Sequence, residues 1–201
     1  GTPVTEIAVN AFSENTVITH AYLSDSIEYF EEGIFEKCTS LQQVHLPEKL
    51  RYLEKDSFYG CSALQKVEMS EGIEFIGESA FMDCTALTEM HLPASVASFK
   101  EEAFSDCTAL KSIYAPGLQW INDGSLMNCS SLTDLTIYAV GTIEGHAFNG
   151  CTSLASVEIL PPPADCPFSF HIFENGVIYK TSHGAKNVTA IRAMPGIAAD
   201  E

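Results

Sequence analysis

Positive charge is scarce in this sequence. Ten Lys and Arg stand against 27 Asp and Glu among 201 residues, a formal net charge of −17. Nucleic-acid binders concentrate Lys and Arg against phosphate, so no nucleic-acid partner is expected. The same balance argues against an anionic membrane surface. Long hydrophobic runs are missing too, and no stretch approaches the ~20 apolar residues of a membrane span. The first residues carry no signal-peptide pattern. The chain opens Gly1-Thr2-Pro3 without Met, which reads as a trimmed start, so this absence says nothing about targeting. The P-loop, G-x-G-x-x-G, H-E-x-x-H and G-x-S-x-G patterns are all absent. So are the close cysteine pairs of a zinc site and the dense acidic loop of a calcium site. No catalytic residue, metal or cofactor is therefore expected.

What is present is a repeat. Apolar residues make up 46% of the chain, too many for a disordered acidic tail. Cysteines fall at 38, 61, 84, 107, 129 and 151, in steps of 23, 23, 23, 22 and 22. Three residues before them come Phe35, Phe58, Phe81, Phe104, Leu126 and Phe148; three after come Leu41, Leu64, Leu87, Leu110, Leu132 and Leu154. Further apolar slots follow in register, Val44 and Leu46 in one unit and Met90 and Leu92 in another, closing with pairs such as Leu50 and Leu53 or Val96 and Phe99. The register runs back to Val4, with Asn15 in the cysteine slot. Seven units of 22–23 residues cover residues 4–160.

One such unit cannot bury its apolar face alone, and stacked units bury a continuous column. The segment L-x-x-V-x-L predicts a short strand, and equivalent strands stack about 4.8 Å apart in a parallel sheet. Seven coils would make that sheet roughly 30 Å long. Pro47, Pro93 and Pro116 follow the strands, where a missing N–H costs least. The fold class expected is a mainly β repeat solenoid.

Units such as Ala80-Phe-Met-Asp-Cys-Thr-Ala-Leu-Thr-Glu-Met-His-Leu-Pro93 resemble the BspA-like, or Treponema pallidum-type, leucine-rich repeats. The resemblance covers about four-fifths of the chain. It implies a right-handed curved superhelix with the parallel sheet on its concave face. It also implies a bacterial cell-surface or secreted setting, extracellular or periplasmic, and adhesion or recognition of host or matrix protein or glycan. Leu126 and the 22-residue final units depart from the pattern without threatening the fold. Asn15, Cys38, Cys61, Cys84, Cys107, Cys129 and Cys151 then resemble the Asn/Cys ladder of leucine-rich repeats. Asn cannot form a disulfide but can hydrogen-bond backbone, so the cysteines are expected as reduced, inert structural thiols. Cys166 lies outside this ladder.

Strand alternation projects the outward positions. One row is Tyr22, His45, Glu68, His91 and Tyr114, continuing to Thr136 and Glu158; the row beside it includes Lys66 and Glu89. This mixed polar and aromatic strip is the expected ligand-binding face. His45, Glu68 and His91 are chemically suited to a divalent metal, but two strand spacings part the outer two by about 9.6 Å, and no metal is expected. A second row, Tyr29, Tyr52, Phe75 and Trp120, sits on the opposite face. It offers an aromatic platform or an outer apolar seam. Residues 1–102 hold 18 acids and 6 bases, with Glu31, Glu32, Glu54, Asp56, Glu78, Glu101 and Glu102 on one loop edge, which favours solubility.

After Pro161-Pro-Pro163 the repeat stops. Glu174-Asn-Gly-Val-Ile-Tyr-Lys180 and Lys186–Pro195 read as strands, so residues 161–201 are expected to form a β-rich C-terminal cap with a disordered end. The Glu174–Lys180 stretch also looks like the D-G-V-L-Y-type unit that accompanies BspA-like repeats. The function expected is a non-catalytic binding module for a protein or glycan. The alternative is a structural spacer or self-association element of a larger surface protein.

Overall fold

The computed structural model describes residues 3–138, 142–144, 146–154, 156–160 and 190–193. Cys166 and most of the expected cap lie outside these residues. The strands run in order as β1 (Glu6–Ile7), β2 (His20–Tyr22), β3 (Tyr29–Phe30), β4 (Gln43–His45), β5 (Tyr52–Leu53), β6 (Lys66–Glu68), β7 (Phe75–Ile76) and β8 (Glu89–His91). They continue as β9 (Ser98–Phe99), β10 (Ser112–Ala115), β11 (Trp120–Ile121), β12 (Asp134–Tyr138), β13 (Thr142–Ile143), β14 (Ser156–Leu160) and β15 (Ala190–Ala193). All pairings are parallel. Among the described residues there is no helix, and so none long and apolar enough to cross a membrane. The chain is a mainly β parallel solenoid of about six turns.

Each coil has three sides. The L-x-x-V-x-L segment gives the longer strand, the following apolar pair gives a two-residue strand, and the Phe-x-x-Cys segment gives a turn. Inward slots stack in register, as in Ala21 to Val44 to Val67 and Met90 to Ile113 to Leu135. Nearly all are sealed, with Val44, Leu46, Leu53, Ile76, Phe99 and Leu118 fully buried.

The turn side is an unbroken spine. Main-chain bonds tie each turn to the next, from Phe12 N–H to the Ile34 carbonyl, Phe35 to Ser57, Phe58 to Ala80, Phe81 to Ala103, Phe104 to Ser125 and Leu126 to Ala147. Beneath them Phe12, Phe35, Phe58, Phe81 and Phe104 stack at 5.3, 5.7, 5.2 and 5.0 Å with rings within 15° of parallel. That spacing is the favourable offset-stacking range.

The cysteines complete this spine. Each thiol donates to the carbonyl of the residue at the Phe slot one coil earlier: Cys38 to Phe12 at 3.0 Å, Cys61 to Phe35 at 3.0 Å and Cys84 to Phe58 at 3.3 Å. Cys107 reaches Phe81 at 3.0 Å, Cys129 reaches Phe104 at 3.1 Å and Cys151 reaches Leu126 at 2.9 Å. All six are buried and free of disulfides. Asn15 shares their slot but works within its own coil, its side-chain oxygen accepting from the Val17 and Ile18 N–H groups at 2.9 Å each.

Left-handed backbone recurs with the same period. Asn10, Gly33, Asp56, Ser79, Glu102 and Gly124 open the turns, and Glu14, Lys37, Gly60, Asp83, Asp106, Asn128 and Gly150 follow four residues on, all with φ between +52° and +80°. A side chain in this region costs on the order of 1 kcal/mol. The interlocked coils hold it there.

The two sheets are less continuous than the spine, and here the expected single sheet needs correction. The longer strands form β2-β4-β6 and, separately, β8-β10-β12-β14-β15. The shorter strands form β1-β3 and β5-β7-β9-β11-β13. The first interruption follows a turn unlike its neighbours. Ile27 N–H bonds Ser24 O, Leu50 N–H bonds Pro47 O and Val96 N–H bonds Pro93 O, but Ser70-Glu71-Gly72 turns through Gly72 at φ +118°. The second interruption falls between β3 and β5, beside Tyr29, whose hydroxyl is pushed up first by burial and then by the Glu54, Glu31, Glu6 and Glu32 charges.

Two outcomes follow. Phe81→Ala removes a fully buried ring from the middle of the stack and should cost about 3–5 kcal/mol in urea unfolding; Phe12→Ala, at the half-buried end, should cost clearly less. The thiols also make the fold alkali-sensitive. Burial, the largest cause for Cys61, Cys84 and Cys107, pushes Cys61 up to about 12 and the other two well up. The neighbouring Cys151 thiol and then burial push Cys129 well up. A folded thiol that keeps its proton after the unfolded chain has lost it leaves stability intact below about pH 8.5 and removes it as pH rises beyond. Each such thiol contributes a slope of up to ~1.4 kcal/mol per pH unit. Urea midpoints measured from pH 8 to 10.5 should fall, and Cys61→Ala should flatten that fall by about one proton's worth.

Candidate functional site

The outward row of the longer strands is where sequence placed it, and the structure sorts its members into two groups. In the first, Tyr22 lies flat on His45, with ring centroids 4.4 Å apart and planes 2° from parallel. In-register pairing of β2 with β4 sets this contact. His45 Nδ1 lies 3.1 Å from Glu68 Oε2 on β6, and Gln43 Nε2 donates to Glu68 Oε1 at 3.2 Å. Lys66 forms an ion pair with the same carboxylate. The bonds from Lys66 and then His45 hold the Glu68 carboxyl below the usual carboxylate range. Tyr22 remains 75% exposed, so this group ends in an open aromatic face.

The second group is His91 and Tyr114 on β8 and β10, centroids 6.1 Å apart and tilted by 39°. Both are exposed. The interruption between β6 and β8 separates it from the first group. His45 and Glu68 are therefore engaged with each other, and His91 turns to Tyr114 instead. Glu89 and Lys66 are exposed on the strands flanking the break. Among the described residues no three His, Cys, Asp or Glu side chains gather as metal ligands would.

The other aromatic row divides as well. Tyr52 and Phe75 stack at 4.6 Å, and Lys100 Nζ sits 5.3 Å from the Phe75 ring centre. Tyr29, expected to adjoin Tyr52, lies on β3 in the other short-strand sheet. Trp120 stands 46% exposed with Ser98 and Thr142 as its in-register neighbours. The row is one stacked pair with two separate rings, so the longer-strand face carries the denser set of neighbouring aromatic and polar side chains.

Gln43 lies in the same row as Lys66 and Glu89 and joins the Glu68 contacts. Its register opposite Lys66 was the available signal. Chemically the strip offers stacking surface, hydrogen-bond donors and acceptors, and one imidazole–carboxylate pair. The six ladder thiols are turned to the interior spine, away from that pair.

With this geometry in view, the chain is recognisable as a leucine-rich repeat protein. The BspA type leucine rich repeat region matches residues 5–133 and 74–192, in six copies, and the chain belongs to that family. The family marks it as a protein-interaction module. A leucine-rich repeat protein from Bacteroides ovatus superposes with a TM-score of 0.62 at 22% identity, over 94% of this chain and 40% of the other. The Treponema pallidum leucine-rich repeat protein gives 0.56 at 22%, over 83% and 75%. A leucine-rich cell surface protein from Faecalibacterium prausnitzii gives 0.52 at 22%, over 79% and 59%. These likenesses show the fold, and the chain spans about two-fifths of the Bacteroides protein's length. No curated protein matches it.

Proposed function

We propose that the chain is a non-catalytic binding module that presents its longer-strand face to a protein or glycan outside the cell. The observation that carries this reading is the row Tyr22, His45, Glu68, His91 and Tyr114. Its inward neighbours are locked in the core while its outer side chains offer aromatic and polar groups on fixed strands. Aromatic anchors on rigid backbone lose little entropy on binding, which suits recognition. The description of the Faecalibacterium protein as a cell surface protein supports the same setting. Residues 161–201 are proposed to cap the solenoid, and β15, paired with β14, supports that role.

A second reading has one observation in its favour. Val4, Val9 and Val17 are 64%, 52% and 83% exposed at the first coil. Exposed apolar side chains of this kind favour a self-association element.

The test is a screen of the protein against matrix proteins and a glycan array, repeated with Tyr22→Ala and with His91→Ala/Tyr114→Ala. These side chains are exposed, so the folded state should persist. Affinity for any captured partner should drop at least about tenfold. Undiminished binding would move the site to another face. A concentration-dependent oligomer with no captured partner would favour self-association.

A further inference from the structure

A groove one coil wide crosses the shorter-strand face. The outward residues of β5, β7, β9 and β11 are Tyr52, Phe75, Ser98 and Trp120, in register. Three are rings and one is a serine. The neighbouring row is small at the same coil, with Ala97 between Glu74 and Gln119. Main-chain bonds from Ala97 N–H to Glu74 O and from Gln119 N–H to Ala97 O keep that row in line. Ala97 and Ser98 thus make a floor between two raised coils, and Ser98 is buried although its neighbours in the row are not. Across this floor the Phe75 and Trp120 strands stand two spacings apart, about 9.6 Å. Tyr52 covers Phe75 from the earlier coil at 4.6 Å. The Lys100 ammonium, carried by the floor coil, stands 5.3 Å from the Phe75 ring centre. Trp120 is 46% exposed and stacks on no other ring among the described residues.

We infer that this groove is a subsite for a carboxylate-bearing pyranose, the hexuronate unit of an acidic glycan. It lies on a different face from the row Tyr22 to Tyr114 and does not depend on it. A pyranose has an apolar C–H face and a polar edge, and an exposed indole offers that face a flat apolar partner. Lying on Trp120 at a carbon contact distance of about 4 Å, the sugar stands roughly 5–6 Å from the Phe75 strand. That is the level of the Lys100 ammonium, which therefore meets the substituents at the sugar's edge. The Gln119 amide and the Ser98 hydroxyl add donors beside it. Lys37, Lys49, Lys55 and Lys66 each have a carboxylate partner, whereas Lys100 has no ion pair among the described residues. In a chain with 27 acids and 10 bases, an unmatched cation beside an open ring suits an anionic ligand. Glu74 stands exposed before the strand and Lys100 follows it, with Glu101 further along on the exposed loop edge. A carboxylate is repelled at the Glu74 end and attracted at the Lys100 end, so the sugar is held in one direction.

Trp120 is the one tryptophan of the chain, so its emission reports on this groove. The test titrates the protein with a trimer of galacturonate and with the methyl ester of the same trimer, which keeps the rings and loses the charges. The acid should change the Trp120 emission saturably, with Kd of about 1 mM or tighter, and the ester should bind at least about tenfold more weakly. Lys100→Gln should bring acid and ester to equal affinity. Ser98→Leu fills the floor and should abolish the response to both. Urea midpoints of the two variants check that each is folded, and the acid–ester comparison needs no variant at all. No saturable response to the acid overturns the proposal. Equal affinity for acid and ester in the unaltered protein gives the groove to neutral sugars and overturns it too. So does a response that survives in folded Ser98→Leu. Tyr22→Ala should leave the titration unchanged; a response lost there would move the sugar to the longer-strand face and overturn this subsite.

Discussion

Everything in this molecule hangs on one coil's turn sitting directly on the next at a single strand spacing. The turn side meets that constraint three times over. Main-chain bonds join successive turns, the phenylalanine rings stack under them, and each thiol caps a carbonyl of the coil before. The bonds matter because a buried carbonyl without a donor is costly. A thiol is a weak donor, yet it is small and apolar enough to sit beside the ring stack. Left-handed residues make the turn tight enough for this to repeat. The spine therefore carries the register, and the two sheets inherit it.

That division of labour explains why the sheets can be interrupted without loss of the fold. Between the coils containing β6 and β8, the spine and the shorter strands stay joined while the longer strands do not. Between β3 and β5 the opposite side is open. Each break leaves two of three sides intact. The outer row is consequently divided into a Tyr22–His45–Glu68 array and a His91–Tyr114 pair, carried on separate sheets over one core. A partner that contacts both reads the spacing between them as well as the side chains.

The repeat, its register and the inward rows were legible because burial imposes a period on apolar residues. The cysteine ladder was legible because Asn15 shares its slot. The left-handed positions were harder to see. Their slots are filled by Gly33, Asp56, Ser79 and Glu102 in turn, so no single residue type marks them, although Gly60, Asp83 and Asn128 share the second slot as a clue. The breaks were invisible to periodicity, since β6 and β8 have faultless strand patterns. The hint lay outside the strands, in Gly72, since Ser70 shares its slot with Ser24, after which β2 and β4 pair normally. The detailed contacts of Glu68 depend on side-chain reach across β4 and β6 and could not be read from spacing.

The thiol bonds all point the same way. A cysteine always donates to the coil made before it, at a distance of 25 or 26 residues along the chain. In the first described coil, Asn15 closes on its own turn instead. No thiol has to wait for a later part of the sequence to find its acceptor. A chain emerging amino end first, from a ribosome or through a translocation pore, can seat each cysteine on arrival. The ladder thus has a direction, later coil to earlier, opposite to that of the main-chain bonds by which each Phe-slot N–H reaches the coil after it.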